Sequence, residues 1–367
     1  MGLFSSSNAG GILSQFQGLL SFGGGGSAVG LSIGTSSIKL VELKKAGKNW
    51  KLIHFGIVQL PDEVIVNREI VNQIAVVESL KTLVAQLKLS TKNVCTSLSG
   101  TSVIIKRMSL EVPNPRELQD QVFWEAEQYL PFDVSEVVMD YQVLSKGKDT
   151  KTDVLLVAVK RTVLDTYMAC IEDAGLVPKI VDVDFFALQN LFEVNYPANP
   201  SEAVAVVDIG ASSTKIIVIQ QDIPVFTKDS ALGGRNLTLE IQKNLNLSFS
   251  DAEILKTNSP PTELPQEVSD LMRVMSENLA TEIKRALDFY AASSVGAPVS
   301  YVLLTGGGAK IPGLSQVVEE TLRLPAQVMN PFNSISYDPS VFTQDYMAAI
   351  GPIAAVPIGL ALRAGAK

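Results

Sequence analysis

The sequence is poor in the side chains that most enzymes use for metal binding and acid–base chemistry. Its 367 residues include one histidine and two cysteines. His54 stands alone in an apolar, strand-like run, which excludes a His-pair metal site and argues against a His-based triad. Cys95 and Cys170 lack CxxC spacing, so they form no zinc site alone and fit a reducing compartment. Any chemistry must therefore use backbone amides, hydroxyls, lysines and carboxylates.

The chain also lacks an excess of basic charge. Thirty Lys and Arg against 38 Asp and Glu give a formal net charge of −8. A general nucleic-acid-binding protein needs a basic surface, so we expect no nucleic-acid partner. With 46% hydrophobic and 19% charged residues the chain is globular, and its length predicts two or three domains.

Signals for secretion or membrane insertion are weak. Residues 1–27 are rich in Gly and Ser and contain no Lys or Arg, unlike a secretory signal. We interpret them as a flexible leader, with a weak docking helix as the alternative. The apolar stretch from Met347 to Leu362 is interrupted by Pro352 and Pro357 and is shorter than the ~20 residues of a membrane span. It predicts a buried C-terminal helix, and the chain is expected to be soluble and cytoplasmic.

An internal repeat organises the chain. Residues 31–43 read LSIGTSSIKLVEL and residues 207–219 read VDIGASSTKIIVI. Each copy has an apolar run, a turn of small residues and a second apolar run, which predicts a β-hairpin. Glycine lets a ligand approach the backbone, and successive N–H groups with hydroxyls form an anion-binding concavity. One copy alone would favour an ordinary hairpin, but the matched pair predicts a clamp on polyphosphate.

Two glycine-rich turns follow the second copy. Residues 231–245 read ALGGRNLTLEIQKNL, in which two glycines precede a helix, and residues 303–314 read LLTGGGAKIPGL. A strand–GGG–helix turn by itself is common in α/β proteins. Together with the paired hairpins it predicts a loop that faces a nucleotide.

These four elements, in this order, resemble the actin/Hsp70/sugar-kinase ATPase superfamily. The segments WEAEQYLPFD (124–133), MDYQVL (139–144) and IGLALR (358–363) are similar to the PilM family of type IV pilus assembly proteins, which are FtsA-like members of that superfamily. The resemblance covers about residues 28–363. It implies an α/β protein with an actin-like two-lobe ATPase fold and an inserted small FtsA-type α+β subdomain.

The resemblance also implies a division of the chain. After the leader (1–27), the expected parts are the first lobe (28–93), the insertion (94–177) and the return to the first lobe (178–202). The second lobe (203–340) and a C-terminal helix on the first lobe (341–367) follow.

The family's nucleotide site, which holds ATP and Mg²⁺, carries over onto specific residues of this chain. The first phosphate hairpin is Gly34, Thr35, Ser36, Ser37 and Lys39. The second is Asp208, Gly210, Ser212, Ser213 and Lys215. The remaining contacts to the nucleotide are Gly233, Gly234, Asn236, Glu253, Lys256, Gly306, Gly307 and Gly308.

One departure concerns the metal. The family normally has aspartate where this chain has Ser32, so we expect weaker Mg²⁺ binding, with Asp208 as the remaining metal-binding carboxylate. Asp184 lies where the superfamily places a water-orienting catalytic side chain; a helix-capping Asp is the alternative. Any ATP hydrolysis is expected to be slow.

The function that the resemblance implies is a cytoplasmic scaffold of the type IV pilus assembly machine. It would dock the cytoplasmic tail of a PilN-type inner-membrane protein and link it to motor components, touching the membrane only indirectly; a homo-oligomer or ring is left open. Exposed aromatics of the insertion, such as Phe123 and Trp124, are candidates for partner contact. The alternatives are an FtsA-type cell-division protein and a small-molecule kinase, which would need a catalytic base near the γ-phosphate.

Overall fold

The computed structural model describes residues 27–366, apart from 112–114, 147–150, 198, 200, 259, 294 and 295. The leader lies outside the described residues, as does Asn114, which the sequence predicts to cap a helix in the insertion.

A six-stranded sheet forms the first lobe, in the order β10-β6-β1-β2-β3-β16. Its strands are β1 (Ser27–Ile33), β2 (Ser37–Ala46), β3 (Asn49–Gln59), β6 (Asn93–Leu98), β10 (Val177–Val183) and β16 (Ile335–Ser336). A small hairpin of β4 (Ile65–Val66) and β5 (Glu69–Ile70) follows β3. Helices α1 (Gln73–Leu87) and α3 (Arg161–Asp173) cover one face of the sheet; α4 (Asp184–Asn195) and α10 (Ala355–Gly365) cover the other.

A five-stranded sheet forms the second lobe, in the order β13-β12-β11-β14-β15. Its strands are β11 (Ala203–Ile209), β12 (Thr214–Gln220), β13 (Ile223–Ser230), β14 (Val299–Thr305) and β15 (Ala326–Val328). Its helices are α5 (Gly234–Leu245), α6 (Phe249–Asn258), α7 (Gln266–Ala292) and α8 (Leu314–Leu322). The apolar cluster of the first lobe continues into this sheet through Val204, Val206 and Ile217, so the two lobes share a core.

The sequence repeat appears as the same topology in both lobes. Strands β1, β2 and β3 form an antiparallel meander, as do β11, β12 and β13. In each lobe the first strand of the meander also pairs in parallel with a later strand, β6 or β14. Every residue of β11 is buried because both faces of its sheet are covered by apolar side chains. The expected α/β architecture of two similar lobes is confirmed.

The inserted subdomain leaves the first lobe after β6 and returns through α3 to β10. It contains β7 (Val103–Glu111), α2 (Leu118–Ala126), β8 (Val137–Lys146) and β9 (Lys151–Lys160), with sheet order β7-β9-β8. The apolar stripe Leu118, Val122, Ala126 and Leu130 predicts a helix that ends before Pro131. All four side chains pack in the subdomain core as predicted, but the regular helix ends at Ala126. Beyond Ala126 the chain tightens into i→i−3 hydrogen bonds, from Gln128 N–H to Glu125 O and from Tyr129 N–H to Ala126 O, although the Leu130 N–H still donates to Ala126 O at 3.2 Å. Pro131 supplies no N–H to continue it.

The C-terminal helix is buried, as the sequence predicts. Nine of the residues of α10 are enclosed, and the helix packs on β1 and α4. Among the described helices, none taken singly has both the length and the hydropathy to cross a membrane. Only Gln344–Ile350 (α9) and Pro352–Gly365, which meet at a bend of 53°, reach those limits when counted together.

Candidate functional site

The tips of the two repeated hairpins meet between the lobes. Both turns close in the same way, with the Gly34 N–H donating to Ser37 O at 3.0 Å and the Gly210 N–H donating to Ser213 O at 2.8 Å. At the tips, the hydroxyls of Thr35 and Ser212 lie 2.8 Å apart, so one donates to the other. Two turns that are far apart in sequence therefore form one continuous surface of backbone and hydroxyl groups.

Behind the second hairpin lies a buried cluster of charges. The Lys215 Nζ is 3.1 Å from Asp208 Oδ2 and 3.1 Å from Asp184 Oδ2. Ser97 donates to Asp184 Oδ1 at 2.5 Å. Burial alone would raise the pKa of Asp184, but the charges of Lys215 and Arg68 and the hydrogen bond from Ser97 outweigh it and hold that pKa below its usual value. Asp184 is therefore ionised. It forms an ion pair with Lys215, and it is also the first residue of α4.

The first hairpin holds its lysine differently. Lys39 donates to Ser37 Oγ at 2.8 Å, and Ser32 is its partner across the two strands. Among the described residues no carboxylate lies within ion-pair distance of Lys39. Burial lowers the pKa of Lys39 from 10.5 to about 8, with a contribution from the Lys215 charge, and the attraction of Asp208 and Asp184 offsets this only in part.

The start of α5 docks on the second hairpin. The N–H groups of Gly234 and Arg235 donate to Gly210 O at 2.9 Å and Ala211 O at 2.7 Å. Asn236 accepts from the Gly233 N–H at 2.9 Å. A Cβ at position 233 would lie 2.5 Å from Ala211 O, which explains why glycine stands there. The predicted residues Gly233, Gly234 and Asn236 thus join the hairpin turn.

Glu253 and Lys256 reach the same place from α6. The Lys256 ammonium donates to Gly234 O at 3.1 Å, to Thr238 Oγ1 at 2.7 Å and to Glu253 Oε2 at 2.6 Å. These two predicted residues therefore lie beside the first turn of α5, on the second-lobe side of the hairpin.

The GGG loop contacts the end of β11. Gly306 has φ +83°, a backbone conformation that favours glycine, and a Cβ there would lie 2.5 Å from Asp208 Oδ1. A Cβ on Gly308 would collide with Ile209, whereas Gly307 has more space, near Ile353. The loop is fixed by the Gly306 N–H, which donates to Pro352 O at 2.8 Å. The structure brings every predicted site residue into this one region.

The fold adds three further side chains to the site, those of Ser97, Arg68 and Asp62. Ser97 at the end of β6 fixes Asp184. Arg68, in the β4–β5 turn, donates to Ser213 Oγ, and Asp62 pairs with Arg235 across the lobes. No local motif marks these residues, because each reaches the hairpins from a segment distant in sequence.

The charged side chains of the site suit a polyanion, such as a polyphosphate, that binds together with a metal ion. Three cations, Lys39, Lys215 and Arg68, surround two carboxylates, Asp184 and Asp208, leaving one positive charge in excess. Within the part of the chain that the structure describes, no three His, Cys, Asp or Glu side chains form a metal-binding group. Mg²⁺ is commonly held by one or two carboxylates together with phosphates and water, so this donor set fits Mg²⁺ only in company with a phosphate ligand.

Comparison with known proteins identifies the relatives. The family model described as type IV pilus assembly protein PilM matches residues 30–365. The solved structure of a PilM–PilN type IV pilus biogenesis complex is 29% identical, with a TM-score of 0.84, and the match covers 93% of this chain and 99% of that one.

More distant relatives share the fold. Cell division protein FtsA from Bacillus subtilis is 27% identical over 224 residues, which are 54% of this chain and 48% of FtsA. The chain thus spans about half the length of the curated relatives it matches. MreB5 of Spiroplasma citri bound to ADP is 11% identical, with a TM-score of 0.51, over 91% of this chain and 94% of that one. The fold is therefore actin-like.

Proposed function

The chain belongs to the family of the type IV pilus assembly protein PilM, and on this premise we propose that it is an ATP-binding, actin-like scaffold of the type IV pilus assembly machine. The observation that carries the proposal is the meeting of the two hairpin tips at Thr35 and Ser212, with Lys39 and Lys215 directly behind them. This arrangement offers backbone amides, hydroxyls and the Lys39 ammonium to one polyphosphate, with Lys215 held behind them by Asp208 and Asp184.

The nucleotide would lie between the lobes with its base and ribose on the second-lobe side. Glu253, Lys256 and the GGG loop lie on that side, and the phosphates would run toward the two hairpins. Asp208 would hold Mg²⁺ together with phosphate oxygens and water, and the bound ion supplies neutralisation of phosphate charge. Asp184 would orient a water molecule. Hydrolysis would be slow at most, because Ser32 gives the first hairpin a neutral oxygen in place of a carboxylate.

The partner would be the cytoplasmic tail of a PilN-type inner-membrane protein. The structure to which this chain is similar is a complex of PilM with PilN, and the similarity extends over the insertion. We place the docking groove between the inserted subdomain, which runs from β7 to β9, and the first lobe. Trp124 on α2 is 65% exposed and available for a partner, whereas Phe123 packs edge-on against Tyr141 in the subdomain core. The protein would be cytoplasmic and held near the membrane only by such partners, including motor components.

Calorimetric titration tests both halves of this proposal. Purified protein should bind Mg-ATP, and it should bind a synthetic peptide of the PilN tail from the same cell. Gly210→Asp should abolish ATP binding, because a carboxylate would occupy the phosphate position. Asn49→Asp, which adds the same charge at an exposed position after the β2–β3 turn, is the matched control and should bind normally. Retained ATP binding in Gly210→Asp would contradict the nucleotide assignment.

An FtsA-type cell-division role is the second candidate, favoured by the similarity to Bacillus subtilis FtsA over about half of each chain. Failure to bind the PilN tail, with ATP binding intact, would favour this role. Transfer of labelled phosphate from ATP to a small molecule would instead identify a kinase of the same superfamily.

A further inference from the structure

The turn between β4 and β5 holds one arginine in a fixed place. Asn67 and Arg68, at its tip, have left-handed φ values of 50° and 69°. The buried Tyr167 hydroxyl, on α3, donates to the Arg68 carbonyl oxygen at 3.1 Å. The backbone that carries Arg68 is therefore anchored to the first lobe.

The side chain of Arg68 crosses from the first lobe to the second hairpin. Its guanidinium donates to Ser99 Oγ at 2.9 Å and to Ser213 Oγ in the second hairpin turn. Gly100 makes room for it, since a Cβ at that position would lie 2.6 Å from Arg68 Cγ. The guanidinium is thus directed at the hairpin turn by contacts along its whole length.

The acceptors of Arg68 are neutral. Within the described ranges it makes no ion pair, and its two hydrogen-bond partners are hydroxyls. A guanidinium presents a planar fork of donors that matches phosphate oxygens, and charge-assisted bonds are stronger than those to neutral groups. A phosphate group beside Ser213 would therefore be a better acceptor than the serine hydroxyl.

The side from which Arg68 approaches indicates which phosphate it meets. Glu253 and Lys256 lie beside the first turn of α5, on the second-lobe side of the second hairpin, where the nucleoside is proposed to lie. Arg68 reaches it from the first lobe, close enough to Asp184 to influence the pKa of that carboxyl. The phosphate nearest to Arg68 would be the one farthest from the nucleoside.

We propose that Arg68 binds the terminal phosphate of a nucleoside triphosphate and makes this site discriminate triphosphate from diphosphate. The inference rests on the proposed nucleotide site and adds a residue and a specificity to it. On binding, the guanidinium would exchange the Ser213 hydroxyl for phosphate oxygens while keeping its bond to Ser99.

The test compares ATP with ADP in calorimetric titrations of the full chain. In Arg68→Ala the affinity for ATP should fall by roughly tenfold to a hundredfold, as expected for loss of a charge-assisted hydrogen-bond pair. The affinity for ADP should change by no more than about threefold, because the diphosphate lacks the group that Arg68 contacts. Arg68→Gln retains one amide donor but loses the charge and the forked guanidinium; circular dichroism checks its fold, and it should show the same selective loss.

Arg273→Ala provides the matched control. Arg273 is an exposed arginine of α7 that pairs with Glu277, and its replacement should leave both affinities unchanged. Equal loss of ATP and ADP binding in Arg68→Gln would overturn the inference, since Arg68 would then only hold the lobes together. An unchanged ratio of the two affinities would also overturn it. If the wild-type chain binds neither nucleotide, the proposed function itself fails, and that outcome is distinct from both.

Discussion

The two hairpins at the centre of the molecule share their backbone but differ in their charge. In the second hairpin, Asp208 pairs with Lys215 across the strands and the two form an ion pair; in the first, Ser32 pairs with Lys39. The backbone of each turn offers the same anion-binding concavity, but only one lysine is neutralised by the protein. In the second hairpin Lys215 therefore stabilises two buried carboxylates, whereas we propose that the charge of Lys39 serves a ligand.

The largest expected effect is on stability, because replacing Lys215 should destabilise the protein far more than replacing Lys39. Lys215→Met leaves Asp208 and Asp184 buried without their counter-charge, so we expect a loss of about 3–5 kcal/mol in the free energy of unfolding. Lys39→Met removes an ammonium that has no ion pair among the described residues, so its cost should be below about 1 kcal/mol. Urea unfolding monitored by circular dichroism measures both. Equal losses in the two variants would contradict the assignment of different roles.

Restoring a carboxylate to the first hairpin should make the two hairpins alike. In Ser32→Asp the new charge faces Lys39, and an opposite charge at that range should raise the lysine pKa by about 1–3 units. The variant should also bind ATP with a stronger dependence on Mg²⁺, measured by titration with and without the metal. Unchanged metal dependence would mean that Asp208 serves the metal alone.

The affinity for ATP should depend on pH because of Lys39, which has no ion pair among the described residues. Phosphate favours the charged form of Lys39, whose pKa in the free protein is about 8, so binding should take up a proton. Affinity should therefore fall as pH rises above about 8, by at most about tenfold per pH unit. Titrations in buffers of different ionisation enthalpy count the protons, and Ser32→Asp should flatten the profile.

The stability of the unliganded protein should change with pH in the opposite direction to the affinity for ATP. Because folding lowers the pKa of Lys39, the cost of burying its charge is present below about pH 8 and disappears as pH rises toward 10.5. The contribution of Lys39 to stability therefore increases over this range. Comparing urea unfolding of wild type and Lys39→Met at pH 7 and pH 9 isolates it.

The smallest expected effect concerns the contact between the tips. Thr35→Val keeps the shape of the side chain but removes its hydrogen bond to Ser212, which should cost about 0.5–1.5 kcal/mol. Ser36→Ala, in the same turn but with an exposed side chain, is the control and should be near neutral. No difference between the two variants in thermal unfolding would show that the tip contact adds no stability.

The backbone of the site could be predicted from the sequence, but the connections between its side chains could not. The repeat IGTSSIK and IGASSTK sets the turn geometry locally, so both hairpins could be recognised. Gly233 and Gly306 lie in glycine-rich turns that the sequence also shows, and in the structure they pack closely against the second hairpin. Arg68, Ser97 and Asp62 carry no local pattern, because their roles arise only when distant segments pack together. The lowered pKa of Lys39 likewise depends on burial and on neighbours from both lobes.

Calorimetric titration with Mg-ATP of wild type, Gly34→Asp and Gly210→Asp determines whether the two hairpins hold one nucleotide between them. We predict one ATP per wild-type chain and loss of binding in both variants, although they alter different lobes. Full affinity in either variant would show that its hairpin does not contact the phosphates and would contradict the account.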